Sequence, residues 1–242
     1  ENGTDLPASR KVAEFLGTVH HELVYTEKDY LEALPHVIYH LESFDPSLIR
    51  SAVPTYFVCK LASQHVKVIL SGEGADELFS GYTYLKEITS HEKLHNELVR
   101  SINGLHNINL QRLDRMSMAF SIEGRVPFLD MDLVEYAASL PPEIKLYGNK
   151  QIEKWILRKS FEGYLPDEIL WRDKAQFAIG CGSDKVVQNM VDKQITDAEF
   201  ERERNEIDPP IRSKEELYYY RIFKEFYDCE SAVNSVGRWA TA

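Results

Sequence analysis

The stretch 66–82, VKVILSGEGADELFSGY, constrains the fold more than any other. Its β-branched run, Val66-Lys67-Val68-Ile69-Leu70, leads into Ser71-Gly72-Glu73-Gly74-Ala75-Asp76-Glu77, the pattern of a central strand ending in a tight glycine turn. A second strand is predicted over 20–25 (HHELVY). Between the two, apolar spacing of 3.6 residues predicts helices over 30–44 and 54–63. Strands separated by helices imply a parallel sheet covered by helices, the α/β class. Upstream, Val12, Phe15 and Leu16 mark an earlier helix. Beyond Leu78 the pattern is helical: 92–105, 109–120, 132–140, 150–161, a break at Pro166 and a last helix over 214–227. The charged run 197–208 before Pro209-Pro210 reads as a solvated helix face and an exposed turn. The expectation is one small α/β core followed by a largely helical half.

With 242 residues, 43% of them hydrophobic, the chain can bury a sizeable core. No window approaches the roughly 18 apolar residues of a membrane span, and the first residues lack a basic and an apolar signal region. Cys59, Cys181 and Cys229 are odd in number and far apart, which argues against a disulfide framework or a zinc knuckle. They read as inert, partly buried thiols of a reducing, cytoplasmic compartment. A net charge of −11 opposes nucleic-acid binding, so an anionic ligand must be met by local cations or a metal ion.

A glycine turn at the carboxyl end of a parallel strand lets backbone N–H groups approach a phosphate or nucleotide. The same residues also suit a plain strand-to-helix turn, in which Asp76 and Glu77 favour the positive helix end. Carboxylates at a phosphate site make sense when a divalent cation bridges them to the phosphates, as Mg²⁺ does.

Together, SGEGADELFSGY, LQRLDRMSMAFSIEGRVPFLD (Leu110 to Asp130) and WRDKAQFAIGCG (Trp171 to Gly182) resemble the synthetase domain of class B, glutamine-hydrolysing asparagine synthases, from about Val12 to Phe226. The resemblance implies an N-type ATP pyrophosphatase fold, related to the adenine nucleotide alpha hydrolases. It also implies an enzyme that uses ATP and Mg²⁺ to adenylate the side-chain carboxylate of aspartate, releases pyrophosphate and lets ammonia displace AMP. By the same resemblance Ser71, Gly72 and Gly74 would meet the nucleotide, Glu73 would act beside the β-aspartyl-AMP and Asp76 would hold Mg²⁺.

Arg50, in Asp45-Pro46-Ser47-Leu48-Ile49-Arg50, falls where the family has an arginine that stabilises the phosphorus during adenylation, a task suited to a planar, always-charged guanidinium. Pairing with Asp45 on the surface is its alternative. Leu48 departs from the hydroxyl residue common there, leaving Ser47. Lys174 falls where the family places a lysine in the adenylate site; a solvated loop lysine is the alternative. Asp114, Arg115, Glu123, Arg125 and Asp130 are read first as structural ion pairs and second as pocket residues. Asn109 stands where many bacterial members carry aspartate, so the grip on the substrate's amino group is expected to differ. His91-Glu92-Lys93-Leu94-His95 fits the HExxH zinc pattern, yet its polar flanks and lack of a third ligand favour a solvated helix start. His36 and His40 have ligand spacing without companions.

The family's pyrophosphate loop, of the type SGGxDS, does not occur in these residues, and neither does the glutaminase domain with its terminal cysteine. Residues 1–242 therefore read as one N-terminally incomplete synthetase domain, inactive alone. A fragment, a split subunit and a decayed relative that only binds are the alternatives. A β-lactam or macrolactam synthetase would share these motifs. A non-catalytic binding module would have no use for Glu73, Asp76, Arg50 and Lys174 together. Aspartate and glutamine-derived ammonia are the expected partners, and a homodimer is carried as a further expectation.

Overall fold

The computed structural model describes residues 3–239. In chain order the elements are α1 (Asp5–Leu16), α2 (Glu27–Leu41), α3 (Pro46–Ala62), β1 (Val68–Leu70), α4 (Ala75–Phe79), α5 (His91–Gly104), α6 (Asn109–Met118), β2 (Glu123–Arg125), α7 (Met131–Ser139) and α8 (Pro142–Lys145). They continue with β3 (Leu146–Tyr147), β4 (Ile152–Glu153), α9 (Trp155–Ser160), α10 (Asp167–Leu170), α11 (Phe177–Gly180), α12 (Val186–Gln194), α13 (Asp197–Glu203), α14 (Lys214–Phe226) and α15 (Glu230–Ser235). The chain is mixed α/β and mostly helical. No helix among the described residues is long and apolar enough to cross a membrane.

The parallel sheet is real but smaller than expected. β1 pairs with β2, in the register Val68 with Glu123, Ile69 with Gly124 and Leu70 with Arg125. Residues 20–25, expected as a strand, form none. They take no regular structure and join no ladder, with Val24 exposed and Tyr25 stacked on Phe57 at 4.7 Å between ring centroids. Residues 20–24 are exposed and only Tyr25 is partly buried, so the segment lacks a buried face, and pairing depends on a neighbour that local sequence cannot supply. β2 lies inside the stretch read as charged pairs. Gly124 belongs there because a Cβ on it would come within 2.9 Å of Leu113 in α6, which packs on the sheet.

Two helix readings also need correction. The helix expected from Pro54 starts at Pro46: Asp45 caps it by accepting the Leu48 N–H at 3.0 Å, and a proline in the first turn costs no hydrogen bond. Pro54 is interior and tolerated. The helix expected over 150–161 is a two-residue hairpin, β3 and β4, followed by the short α9, because Gly148 (φ 73°), Gln151 and Lys154 take left-handed backbone conformations that no helix contains. Nor are the thiols alike: Cys59 is buried, Cys181 intermediate and Cys229 exposed.

The main core joins α2, α3, α6, α12 and α14. Leu34, Val37, Ile38, Leu41, Ile49, Ala52 and Val53 interlock with Tyr219 and Phe223, all nearly inaccessible, and Phe44 meets Tyr220 and Phe223 edge-on at 5.3 Å. A buried ionic cluster closes it. Glu216, fully buried, accepts hydrogen bonds from the Arg212 backbone N–H at 2.6 Å and from Arg238 Nε at 2.9 Å. Burial alone would raise its carboxyl, but Arg212 and Arg238 outweigh that and hold it below the usual range.

Ile49→Ala is expected to cost about 3 kcal/mol by urea denaturation, whereas Val24→Ala should stay within about 0.5 kcal/mol. An equal effect at both sites would contradict this core. Glu216 titrates lower in the folded than in the unfolded chain, so its stabilisation is present above the unfolded pKa and lost as pH falls through the folded one. Glu216→Gln should therefore be less stable than the parent at neutral pH, with the gap narrowing on acidification; a gap constant with pH would refute this.

Candidate active site

Ser71, at the carboxyl end of β1, extends the ladder by donating its N–H to the Arg125 carbonyl at 2.8 Å, and the chain then turns through Gly72 and Gly74 into α4. The two glycines differ in role. Gly74 has φ 93°, and a Cβ there would meet Leu129 at 2.5 Å, so it serves the turn itself. It is not among the residues that line the cleft. A Cβ on Gly72 would meet nothing within 4 Å, so no packing inside the chain requires glycine there, and its open side borders the cleft.

That cleft measures about 780 Å³ and is lined by Ser71, Gly72, Glu73, Asp76, Arg50 and Lys174, residues drawn from four separate elements or loops. Asp76 is its electrostatic centre. Oδ1 accepts from Lys154 at 2.9 Å and Oδ2 from Lys174 at 2.7 Å. Burial would raise the Asp76 carboxyl, but the two ammonium groups prevail and hold it below the usual range. Burial and the charge of Lys174 pull Lys154 down despite its carboxylate partner. Gly81 makes room for Asp76, since a Cβ there would sit 1.9 Å from Oδ1.

Backbone held elsewhere positions both lysines. Lys154, in a left-handed conformation, donates its N–H to the Phe79 carbonyl at 3.1 Å, tying the start of α9 to the end of α4. Arg158 on α9 is buried, pairs with Glu153 at 2.7 Å and donates from Nη1 to the carbonyls of Leu170 and Arg172 at 2.9 and 2.8 Å. It thereby fixes the loop that carries Lys174.

Glu73 pairs with Arg112 of α6, whose Nη1 also donates to Ser51 Oγ at 2.7 Å. Arg50 is not paired with Asp45. Its Nε and Nη2 grip Glu215 of α14, while Arg212 takes Asp45 at 2.8 Å. Among the described residues Arg50 Nη1 has no hydrogen bond. Glu77 is buried; its Oε1 accepts from Asn109 Nδ2 at 2.9 Å and from the Tyr82 hydroxyl, and its Oε2 has no partner. Burial, helped by Asp76 and Glu73, pushes its carboxyl up.

Arg115 pairs with Glu42, Glu123 with Arg125, and Asp130 caps α7, so these four of the five charges serve structure. Asp114 faces outward. His91 begins α5 behind its cap Ser90, His36 is exposed, and no group of three or more His, Cys, Asp or Glu able to hold a metal occurs among the described residues. Lys154, Arg112, Glu77 and Tyr82 are the site residues that sequence reasoning missed. Asp76, a single carboxylate, fits a cation bound mainly through nucleotide phosphates, as Mg²⁺ is, rather than one caged by protein.

The family model for asparagine synthase matches residues 1–92 and 85–241. Among curated relatives, a probable glutamine-hydrolysing asparagine synthetase of Schizosaccharomyces pombe is 42% identical over 97% of this chain and 44% of its own length. Glutamine-hydrolysing asparagine synthetase 1 of Arabidopsis thaliana is 40% identical over 100% of the chain and 43% of its own length. Asparagine synthetase B of Escherichia coli is 38% identical over 96% and 43%. The chain thus spans less than half the length of the relatives it matches. With its three motifs gathered around one cleft and a family match along nearly its whole length, the chain belongs to the asparagine synthase family.

Proposed function

We propose that the chain forms the nucleotide- and aspartate-binding part of an N-type ATP pyrophosphatase-like ligase that converts aspartate, ATP and ammonia to asparagine, AMP and pyrophosphate. The observation that carries this reading is the meeting of the Asp76–Lys154–Lys174 cluster, the Glu73–Arg112 pair and Arg50 at the open Gly72 turn. Dependence on ATP fits a cytoplasmic location.

Each residue has a task that its position supports. The Ser71-Gly72 backbone approaches the nucleotide. Arg112 offers a cation for the carboxylate of an amino acid, whereas Glu77 Oε2, although without a partner, is buried away from the cleft's solvent. A side-chain oxygen of aspartate attacks the α-phosphorus as the bond to the β-phosphate breaks and pyrophosphate leaves. Lys174, Lys154 and the free edge of Arg50 offset the charge that develops there. Ammonia then attacks the acyl carbon, AMP departs, and Glu73 takes the proton released from nitrogen. Mg²⁺, held by Asp76, would supply charge neutralisation at the phosphates once the two lysines turn to them.

Asp76→Asn should weaken Mg²⁺–ATP binding by roughly tenfold or more, read by calorimetry on the 242-residue chain. Glu73→Gln should leave that binding intact. In a form extended to the length of its relatives, Glu73→Gln should lower asparagine formation by on the order of 10²-fold. If neither substitution shifted its readout by as much as about threefold, the assignment of these two acids would be wrong. The 242-residue chain alone should show no aspartate-dependent ATP–pyrophosphate exchange, because it contains no SGGxDS-type loop to hold the leaving group. Robust exchange would sink that part of the reading.

A further inference from the structure

The two lysines on Asp76 are held by unlike means. Lys154 is fixed through its own backbone: its N–H donates to the Phe79 carbonyl at 3.1 Å, and its carbonyl accepts the Arg158 N–H at 2.9 Å. Lys174 has no such support. It lies in the segment 172–176, which takes no regular structure, and the N–H groups of 173–176 donate no hydrogen bond among the described residues. The ties lie to either side of it. Downstream, the Gln176 carbonyl accepts the Gly180 N–H at 2.8 Å; upstream, the carbonyls of Leu170 and Arg172 are both taken by Arg158 Nη1.

Arg158 stands outside the cleft. Neither it nor Glu153 lines the cleft, and both are buried. Glu153 accepts Arg158 Nη2 on Oε1 at 2.7 Å and Lys86 Nζ on Oε2 at 2.8 Å, so the guanidinium is clamped from behind while Nη1 reaches the chain before Lys174. The rigid fork of a guanidinium can serve two carbonyls and a carboxylate together, which a single ammonium does not. One other side chain ties this segment, Arg172 on Asp5, and that pair is partly open to water, where ion pairs contribute little. If Arg158 served only to join α9 to α10, its loss would disturb Lys154, the N-cap of α9, as much as Lys174.

We propose that Arg158 is a positioning residue for Lys174: by holding the chain two residues before it, the guanidinium keeps that ammonium group on Asp76 and in the cleft, whereas Lys154 is placed without it. The consequence for nucleotide rests on the ligase reading above. Without Arg158 the phosphates lose one of the two lysines offered to them, although no residue of the cleft wall has changed.

The first readout needs no ligand. Lysines of the 242-residue chain are trace-labelled with acetic anhydride, and each acetylation rate is read by mass spectrometry against exposed Lys28, with buried Lys145 as the monitor of folding. Arg158→Met should raise the Lys174 rate by roughly fivefold or more and leave Lys154 within about twofold, because a single segment is freed. Arg158→Lys keeps a cation beside Glu153 but cannot hold both carbonyls; it should act in the same direction, and it decides the matter if Lys145 reports loss of fold in Arg158→Met. An unchanged Lys174 rate in a folded variant, or an equal rise at Lys154, would overturn the inference. The second readout is Mg²⁺–ATP affinity by calorimetry. Arg158→Lys and Lys174→Ala should each weaken it by roughly tenfold, and the double variant should stay within about twofold of Lys174→Ala, since the arginine acts through that lysine. Losses that multiply, or a parental affinity in Arg158→Lys while Lys174→Ala falls, would also overturn it. A parent chain that binds no Mg²⁺–ATP would remove the ligase reading, and the labelling rates would still decide whether Arg158 places Lys174.

Discussion

The site is organised around a carboxylate removed from water. Asp76 sits at the foot of α4 against Gly81, where an unpaired charge would be costly, and two lysines from distant parts of the chain meet that cost. Requiring both ammonium groups at one carboxylate dictates where α9 begins and where the loop after α10 must run. Much of the helical half can be understood as scaffolding for those two side chains. On the proposed reading these ion pairs are a resting arrangement, in which a ligand rich in phosphate exchanges one set of charge partners for another.

A second set of constraints comes from the opposite wall. Asp45, Arg212, Glu216 and Arg238 form a buried polar cluster between the start of α3, the start of α14 and the end of the chain. It sets the height at which α3 presents Arg50, and Glu215, the residue just before Glu216 in α14, holds that arginine's orientation. The core and the cleft therefore share α3. Its buried face, with Ile49, Ala52 and Val53, anchors it to α2 and α14, while Ser47, Arg50 and Ser51 look into the cleft.

What the sequence made legible follows from this division. Glu73, Asp76 and the glycine turn were readable because a strand, a turn and a helix start are local events with local residue signatures. Lys174 and Arg50 were readable only through the family resemblance. Lys154 had no local signal, since its place depends on a left-handed residue after a two-residue strand and on Phe79 far away in sequence. Arg112 was readable in principle: Asn109, Arg112 and Met116 share one face of α6, and helical spacing separates them from the outward Asp114 and Arg115. The 20–25 segment misled because strand identity belongs to the pair, and these nearly all exposed residues have no partner strand among the described residues. The first part of the 150–161 segment misled because left-handed backbone at Gln151 and Lys154 holds the helix off until Trp155.

The Arg158 contact with the loop that carries Lys174 has a wider meaning. Arg158 grips carbonyl oxygens at Leu170 and Arg172, and every amino acid has that atom. The backbone path to Lys174 is thus fixed independently of the side chains along it, so those side chains can drift over evolutionary time, or be redesigned, while the lysine keeps its address. The burden of invariance falls instead on a distant arginine and on Glu153 behind it.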